Sequence, residues 1–157
     1  MTATKVIGES VKQTNRTFIK SYVNDYADAI TENYRRYHLR TLNGNLSGNY
    51  PEYAREQLDA IENGTANLMK FKVYSGKRYY KIVQQEFVTW EKSRNYGKYA
   101  DGSVHAFVDK KTGQVYKPAS WAAPAKHVRF DLRIIREREF LFNSNNTGWA
   151  GGYLYLR

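Results

Sequence analysis

Cationic side chains interleaved with aromatic ones are the residues of this chain best suited to chemistry. Between positions 70 and 81, Lys70, Lys72, Lys77, Arg78 and Lys81 accompany Phe71, Tyr74, Tyr79 and Tyr80. A second set joins Lys110, Lys111, Lys117 and Lys126 to Tyr116 and Trp121, with Arg129 just beyond, and a third joins Arg94 and Lys98 to Tyr96 and Tyr99. Lys and Arg hold phosphates through counterion release, and flat rings stack on bases for about 1–3 kcal/mol each. The pattern predicts contact with a polyanion through Lys70, Lys72, Lys81, Lys110, Lys111, Lys117, Trp121, Lys126 and Arg129. Spacing alone leaves open whether the rings stand in solvent beside these cations or pack into the core while the cations are solvated.

Other chemistries are poorly represented. The chain has no Cys, which removes thiolate metal sites, disulfides and cysteine nucleophiles. Its histidines, His38, His105 and His127, form no metal-ligand spacing. Neither a phosphate-cradling glycine loop nor a nucleophile elbow occurs, and no pair of carboxylates stands out for acid–base work. His105, in a strand pattern with Phe107, reads as a half-buried structural histidine, and Ser120 beside Trp121 as a turn hydroxyl. The expectation is a protein without catalytic residues, metal or cofactor.

Charge is unevenly distributed over the 157 residues, whose net charge is +10. Residues 1–68 hold eight basic and eight acidic residues, whereas residues 69–157 hold seventeen and seven, so the whole excess lies in the second part. Such asymmetry suits one polyanion-facing surface on a neutral scaffold; the alternative is a solubilising excess without a partner. The apolar runs are too short to span a membrane, and the opening stretch has no apolar core of a secretory leader.

The elements that must position these residues follow from periodicity. A single domain, 1–157, is expected, with a loosely held arm over 1–13, a helical part over 14–64 and a basic, β-rich part over 68–157. Phe18, Tyr22, Tyr26, Ala29, Ile30, Tyr34 and Tyr37 recur at helical spacing, and Asn43 to Asn49 reads as a break. Pro51-Glu52 starts a second helix with Tyr53, Ala54, Leu58 and Ile61 as its stripe, ending at Asn63-Gly64. Alternation over 68–74 and 78–87 around Ser75-Gly76-Lys77 predicts a hairpin. Residues 91–102 read as a polar loop. Strands over 104–108 and 114–117 flank Asp109-Lys110-Lys111-Thr112-Gly113, where Asp accepts backbone N–H bonds and Gly supplies positive φ. Pro118 should end that ladder, and residues 119–126 form a loop around Trp121, which either anchors the loop from the core or stands as a stacking platform. Residues 128–134 alternate as a strand, 135–141 suit a helix, and 149–156 read as a final strand kinked at Gly151-Gly152. The fold class is α+β: an N-terminal helical hairpin packed on a mainly antiparallel β-sheet formed by the C-terminal half.

Ser103 to Asp109, Thr112-Gly113, Val115-Tyr116-Lys117, Ala119-Ser120-Trp121 and Ala123 to Lys126 resemble a small uncharacterised protein family of tailed bacteriophages. The ending Trp149-Ala150-Gly151-Gly152-Tyr153-Leu154-Tyr155-Leu156-Arg157 resembles the same family. The resemblance implies a viral origin and action in the cytoplasm of an infected bacterium or in the virion; it carries no activity or catalytic residue with it. The combined expectation is a non-enzymatic nucleic-acid-binding protein of weak sequence preference, taking DNA or RNA. Its rivals are a virion or assembly component meeting DNA or an acidic neighbour, and an inhibitor of a host protein; no membrane partner is expected.

Overall fold

A computed structural model describes residues 2–156, with side chains from Phe18 to Leu156; its backbone is helical from Thr2, so the helix expected to start near Thr14 begins earlier and takes in the span 2–13 expected as a loosely held arm. The order is α1 (Thr2–Leu46), α2 (Pro51–Glu62), β1 (Lys70–Ser75), β2 (Tyr79–Phe87), β3 (Tyr99–Asp109), β4 (Gln114–Tyr116), β5 (Phe130–Asp131) and α3 (Ile135–Phe142), followed by a short 3₁₀ turn, Gly152–Leu154. The five strands form one antiparallel meander in chain order, the arrangement that short connections favour. Two N-terminal helices and this sheet make the expected α+β architecture.

The stripe that α1 buries matches the expected one at Tyr26, Ala29 and Ile30 and is displaced by one residue before them. Ile19, Val23, Tyr26, Ala27 and Ile30 enter the core, whereas Phe18 and Tyr37 are exposed. Both sets have helical spacing, so periodicity gives a face only to within one position; packing on the sheet selects Ile19 and Val23. Each such aliphatic side chain contributes about 1.5–3 kcal/mol when fully buried. The break expected at Asn43 comes later, because α1 continues through Gly44 to Leu46. Leu42 is fully buried on this turn, and its burial offsets the roughly 1 kcal/mol cost of a helical glycine. Pro51 opens α2 as expected, but of the predicted stripe only Ala54 is fully buried and Tyr53 faces solvent.

The helix-facing side of the sheet contributes Phe71, Tyr80, Ile82, Ala106, Val108 and Val115 to the core, closed by Leu132, Leu141 and Leu154. Thr31 ties α1 to the edge strand: its Oγ1 donates to the Ala27 carbonyl at 2.9 Å and accepts the Phe71 N–H at 3.3 Å. Two register shifts interrupt the β2–β3 pairing, one of them leaving His105 as the extra residue between Ala106 and Val104. β3 also begins earlier than expected. Tyr99, Ala100 and Asp101 pair with Phe87, Glu86 and Gln85, a long-range partnership that overrides the polar, Gly-containing local sequence.

The turn between β3 and β4 follows its sequence. Asp109 Oδ1 accepts the N–H groups of Lys111 at 2.7 Å and Thr112 at 3.1 Å, and Gly113 takes φ +71. The β3–β4 ladder stops at Tyr116, ahead of Pro118 as expected; Pro118 then bridges Pro124, and the Ala125 N–H bonds the Lys117 carbonyl, so residues 118–124 form a small closed loop. The strand expected at 149–156 is absent. Gly151 at φ +83 turns the chain into the 3₁₀ segment, which buries Leu154 and directs Tyr153 at the core.

Candidate functional site

Among the described residues, no helix packs on the sheet face opposite α1. Its centre is a small apolar cluster, Val83, Val104 and Phe107, flanked by the half-buried rings of Tyr74, Tyr79 and Tyr116. The meander places Lys70 and Lys72 on alternate positions of β1 and Lys81 on β2 opposite Tyr74. Each lysine lies against a ring: Lys70 Nζ is 4.1 Å from the centre of Tyr99 and Lys72 Nζ 4.8 Å from that of Tyr74. Lys81 Nζ lies between two rings, 4.4 Å from the centre of Trp121 and 5.6 Å from that of Phe107. Trp121 is 49% exposed, so it is no core anchor; its ring stands over the sheet on the 118–124 loop. Among the described residues, none of these three lysines is ion-paired.

One carboxylate shares the face. Asp101 accepts bonds from Tyr74 Oη at 2.8 Å and Gln85 Nε2 at 2.8 Å. The Gln85 bond, then the Tyr74 bond and the Lys72 charge, hold its carboxyl below the usual range. The Lys70–Lys72 end is therefore partly neutralised, and the strongest uncompensated charge lies toward the other end of the strands.

At that other end the β1–β2 and β3–β4 turns meet. The Lys110 N–H bonds the Arg78 carbonyl at 3.0 Å, and Lys110 Nζ donates to Ser75 Oγ at 2.5 Å while lying 4.9 Å from the centre of the Tyr80 ring. Arg78 is paired at 3.5 Å with Asp109, whose other oxygen is committed to the turn. Lys77, Arg78, Lys110 and Lys111 thereby surround one cleft of about 660 Å³. Four cations against one buried carboxylate leave this end strongly positive.

The structure thus groups Lys70, Lys72, Lys81 and Trp121 on the open face, with Lys110 and Lys111 at its end, and separates the other three expected residues from them. Lys117 points away, its Nζ 4.7 Å from the centre of the Tyr155 ring in a cavity shared with His105 and Trp149. Arg129 is a structural clamp: its Nε donates to the Leu154 carbonyl at 2.6 Å and its Nη1 to the Lys126 and His127 carbonyls. Lys126 is solvent-exposed on the loop held by that clamp. Tyr74, Tyr79 and Phe107 belong to the face as well; their signal is the odd–even alternation of β1, β2 and β3, which places them beside Lys81.

His105 is buried more fully than the half-buried position its strand pattern implied. Its Nε2 lies 2.7 Å from Tyr153 Oη, which lies 2.6 Å from Tyr26 Oη. Burial lowers the imidazole to about 4, against a smaller opposing effect of a hydrogen bond with the Trp149 backbone. Burial raises both tyrosines. The neutral histidine and the two tyrosines form a polar chain inside the core, leaving no buried polar side-chain atom unsatisfied among the described residues. Among those residues there is also no cluster of His, Asp or Glu able to hold a metal ion, and no helix is long and apolar enough to cross a membrane.

An α+β domain with one sheet face covered by helices and the other left cationic and aromatic is the class these features define. The chain belongs to the family of unknown function DUF7717, which it matches over residues 5–156. No curated protein and no solved structure matches it.

Proposed function

We propose that this is a phage-encoded, non-enzymatic protein that binds nucleic acid with weak sequence preference through the open face of its sheet. The observation that carries the reading is the set Lys70, Lys72 and Lys81, each against an aromatic ring and none ion-paired among the described residues, on the face opposite α1. A face of this kind meets phosphate by counterion release and bases by stacking. It offers few fixed hydrogen-bonding groups for reading base edges, hence the weak preference. Lys110 and Lys111 extend the phosphate path around the end of the strands. Action in the cytoplasm of an infected bacterium follows from the phage resemblance.

The test is titration of fluorescent oligonucleotides across a range of salt concentrations. The reading expects affinity that falls steeply with salt and exceeds that of a control protein of equal net charge. Binding no better than the control at low salt sinks it.

A second reading, an assembly component of the particle, is favoured by a different surface. Phe18, Ile134 and Ile135 are exposed, and Phe18 continues through stacked Tyr22 to Phe142 of α3. Apolar groups so placed suit a protein neighbour. Mass spectrometry of purified particles separates the two: fixed stoichiometry in the virion supports assembly, and absence supports action in the cell.

A further inference from the structure

The β1–β2 turn stands between two cavities and lends Lys77 and Arg78 to both. On the open face, a slot of about 320 Å³ is lined by the hairpin tip, by Tyr74, Tyr79, Lys81 and Phe107 of the sheet, and by Ala122 of the 118–124 loop. Around the turn is the larger cleft with Lys110 and Lys111. The slot sets the rings of Tyr74, Tyr79 and Phe107 beside Lys77, Arg78 and Lys81, and the cleft sets four cations around Tyr80. Arg78 joins the two chemistries, its guanidinium 5.1 Å from the centre of the Tyr79 ring and 3.5 Å from the Asp109 carboxylate.

We propose that the slot takes one unpaired nucleobase while the adjoining phosphate rests among Lys77, Arg78, Lys110 and Lys111, making the protein selective for single strands. This inference rests on the nucleic-acid reading above. The slot lies at the small end of the range for ligand cavities and has room for a flat ring system. A base inside a duplex has both faces covered by its neighbours and reaches such a slot only after unstacking, whereas a single strand offers it directly. The Lys81 ammonium, which lies against the Trp121 and Phe107 rings, supplies a donor lining the slot for a ring carbonyl. Recognition of one carbonyl among several bases is consistent with weak sequence preference.

The experiment compares a fluorescein-labelled oligothymidylate with an abasic deoxyribose-phosphate oligomer of the same length, using the wild-type chain and Ala122→Trp. Ala122 is exposed at the lip of the slot, so the larger side chain fills the opening without touching the core. Oligothymidylate should bind the wild type about tenfold tighter than the abasic oligomer. Ala122→Trp should lower oligothymidylate affinity to the abasic level and leave abasic binding unchanged. Equal affinity of the wild type for the two oligomers overturns the slot while leaving the nucleic-acid reading intact. Failure of both to bind above a control of equal charge overturns that reading and the slot with it. Competition by polyglutamate as effective as by oligothymidylate also overturns the slot, since a carboxylate polymer has no base to insert.

Discussion

The Lys81 ammonium lies 4.4 Å from the centre of the Trp121 ring, although forty positions separate the two in the chain. β2 supplies the cation and the closed loop after β4 supplies the ring, so the pair ties the loop to the open face of the sheet. A cation over an indole at a partly exposed site contributes about 0.5–1 kcal/mol.

Replacing Trp121 by Ala removes a ring that is half in solvent. Unfolding free energy should therefore fall by no more than about 1 kcal/mol. Affinity for a single-stranded oligonucleotide should drop by roughly fivefold to tenfold, the equivalent of one lost stacking contact. Parallel urea titrations and anisotropy measurements check both; a large stability loss without a binding loss would mean that the ring serves only the loop.

Lysines at the open face should be visible in the salt dependence. Lys70→Ala and Lys81→Ala should each reduce the slope of log affinity against log salt by about 0.7, the value for one phosphate on a single strand. Lys117→Ala should leave the slope unchanged, because its ammonium faces the Tyr155 ring away from this face. Equal effects at all three positions would argue for a diffuse charge effect in place of a defined interface.

Asp109 is the one carboxylate among the cations at the strand ends. Asp109→Asn keeps an oxygen to accept the Lys111 and Thr112 N–H bonds while freeing Arg78 from its ion pair. It should raise oligonucleotide affinity severalfold. Asp109→Ala leaves those two N–H groups without their acceptor and should cost about 1–2 kcal/mol of stability. Urea midpoints and binding isotherms of the two variants check this opposition.

His105 gives a pH signature to the core. Its folded value of about 4 lies below the ordinary 6.5, so between those values the unfolded chain takes up a proton that the folded protein refuses. Its contribution is complete above pH 6.5 and is lost as pH falls, at up to about 1.4 kcal/mol per unit and about 3 kcal/mol by pH 4. Tyr153 and Tyr26, which continue its hydrogen-bond chain, are raised and stay neutral throughout this range. Replacing His105 with Gln should flatten stability between pH 6.5 and 4 relative to wild type. Identical slopes, measured by urea unfolding at several pH values, would remove His105 as the cause.

Much of the fold was legible because its signals are local. Asp109 and Gly113 sit at the spacing that a turn requires, Pro51 at the first position of a helix, and alternation in 70–74 sets lysines against Phe71 and Val73. The alternation likewise put Lys70 and Lys72 on one side before any partner was known. Signals failed where a distant contact outweighed the local one. Leu42 carries α1 through Gly44, β2 recruits Tyr99 to Asp101 into β3, and Gly151 with the buried Leu154 turns the expected last strand into a 3₁₀ segment. Residue types and spacing determined that cations and rings would alternate, and that the second part of the chain would carry the charge. Only the tertiary structure decided which of them share a surface: α1 covers one face of the sheet, bulges in β3 turn His105 toward that core, and the loop after β4 brings Trp121 to Lys81. The reason is that period-two alternation defines two faces but does not say which one the rest of the chain will cover.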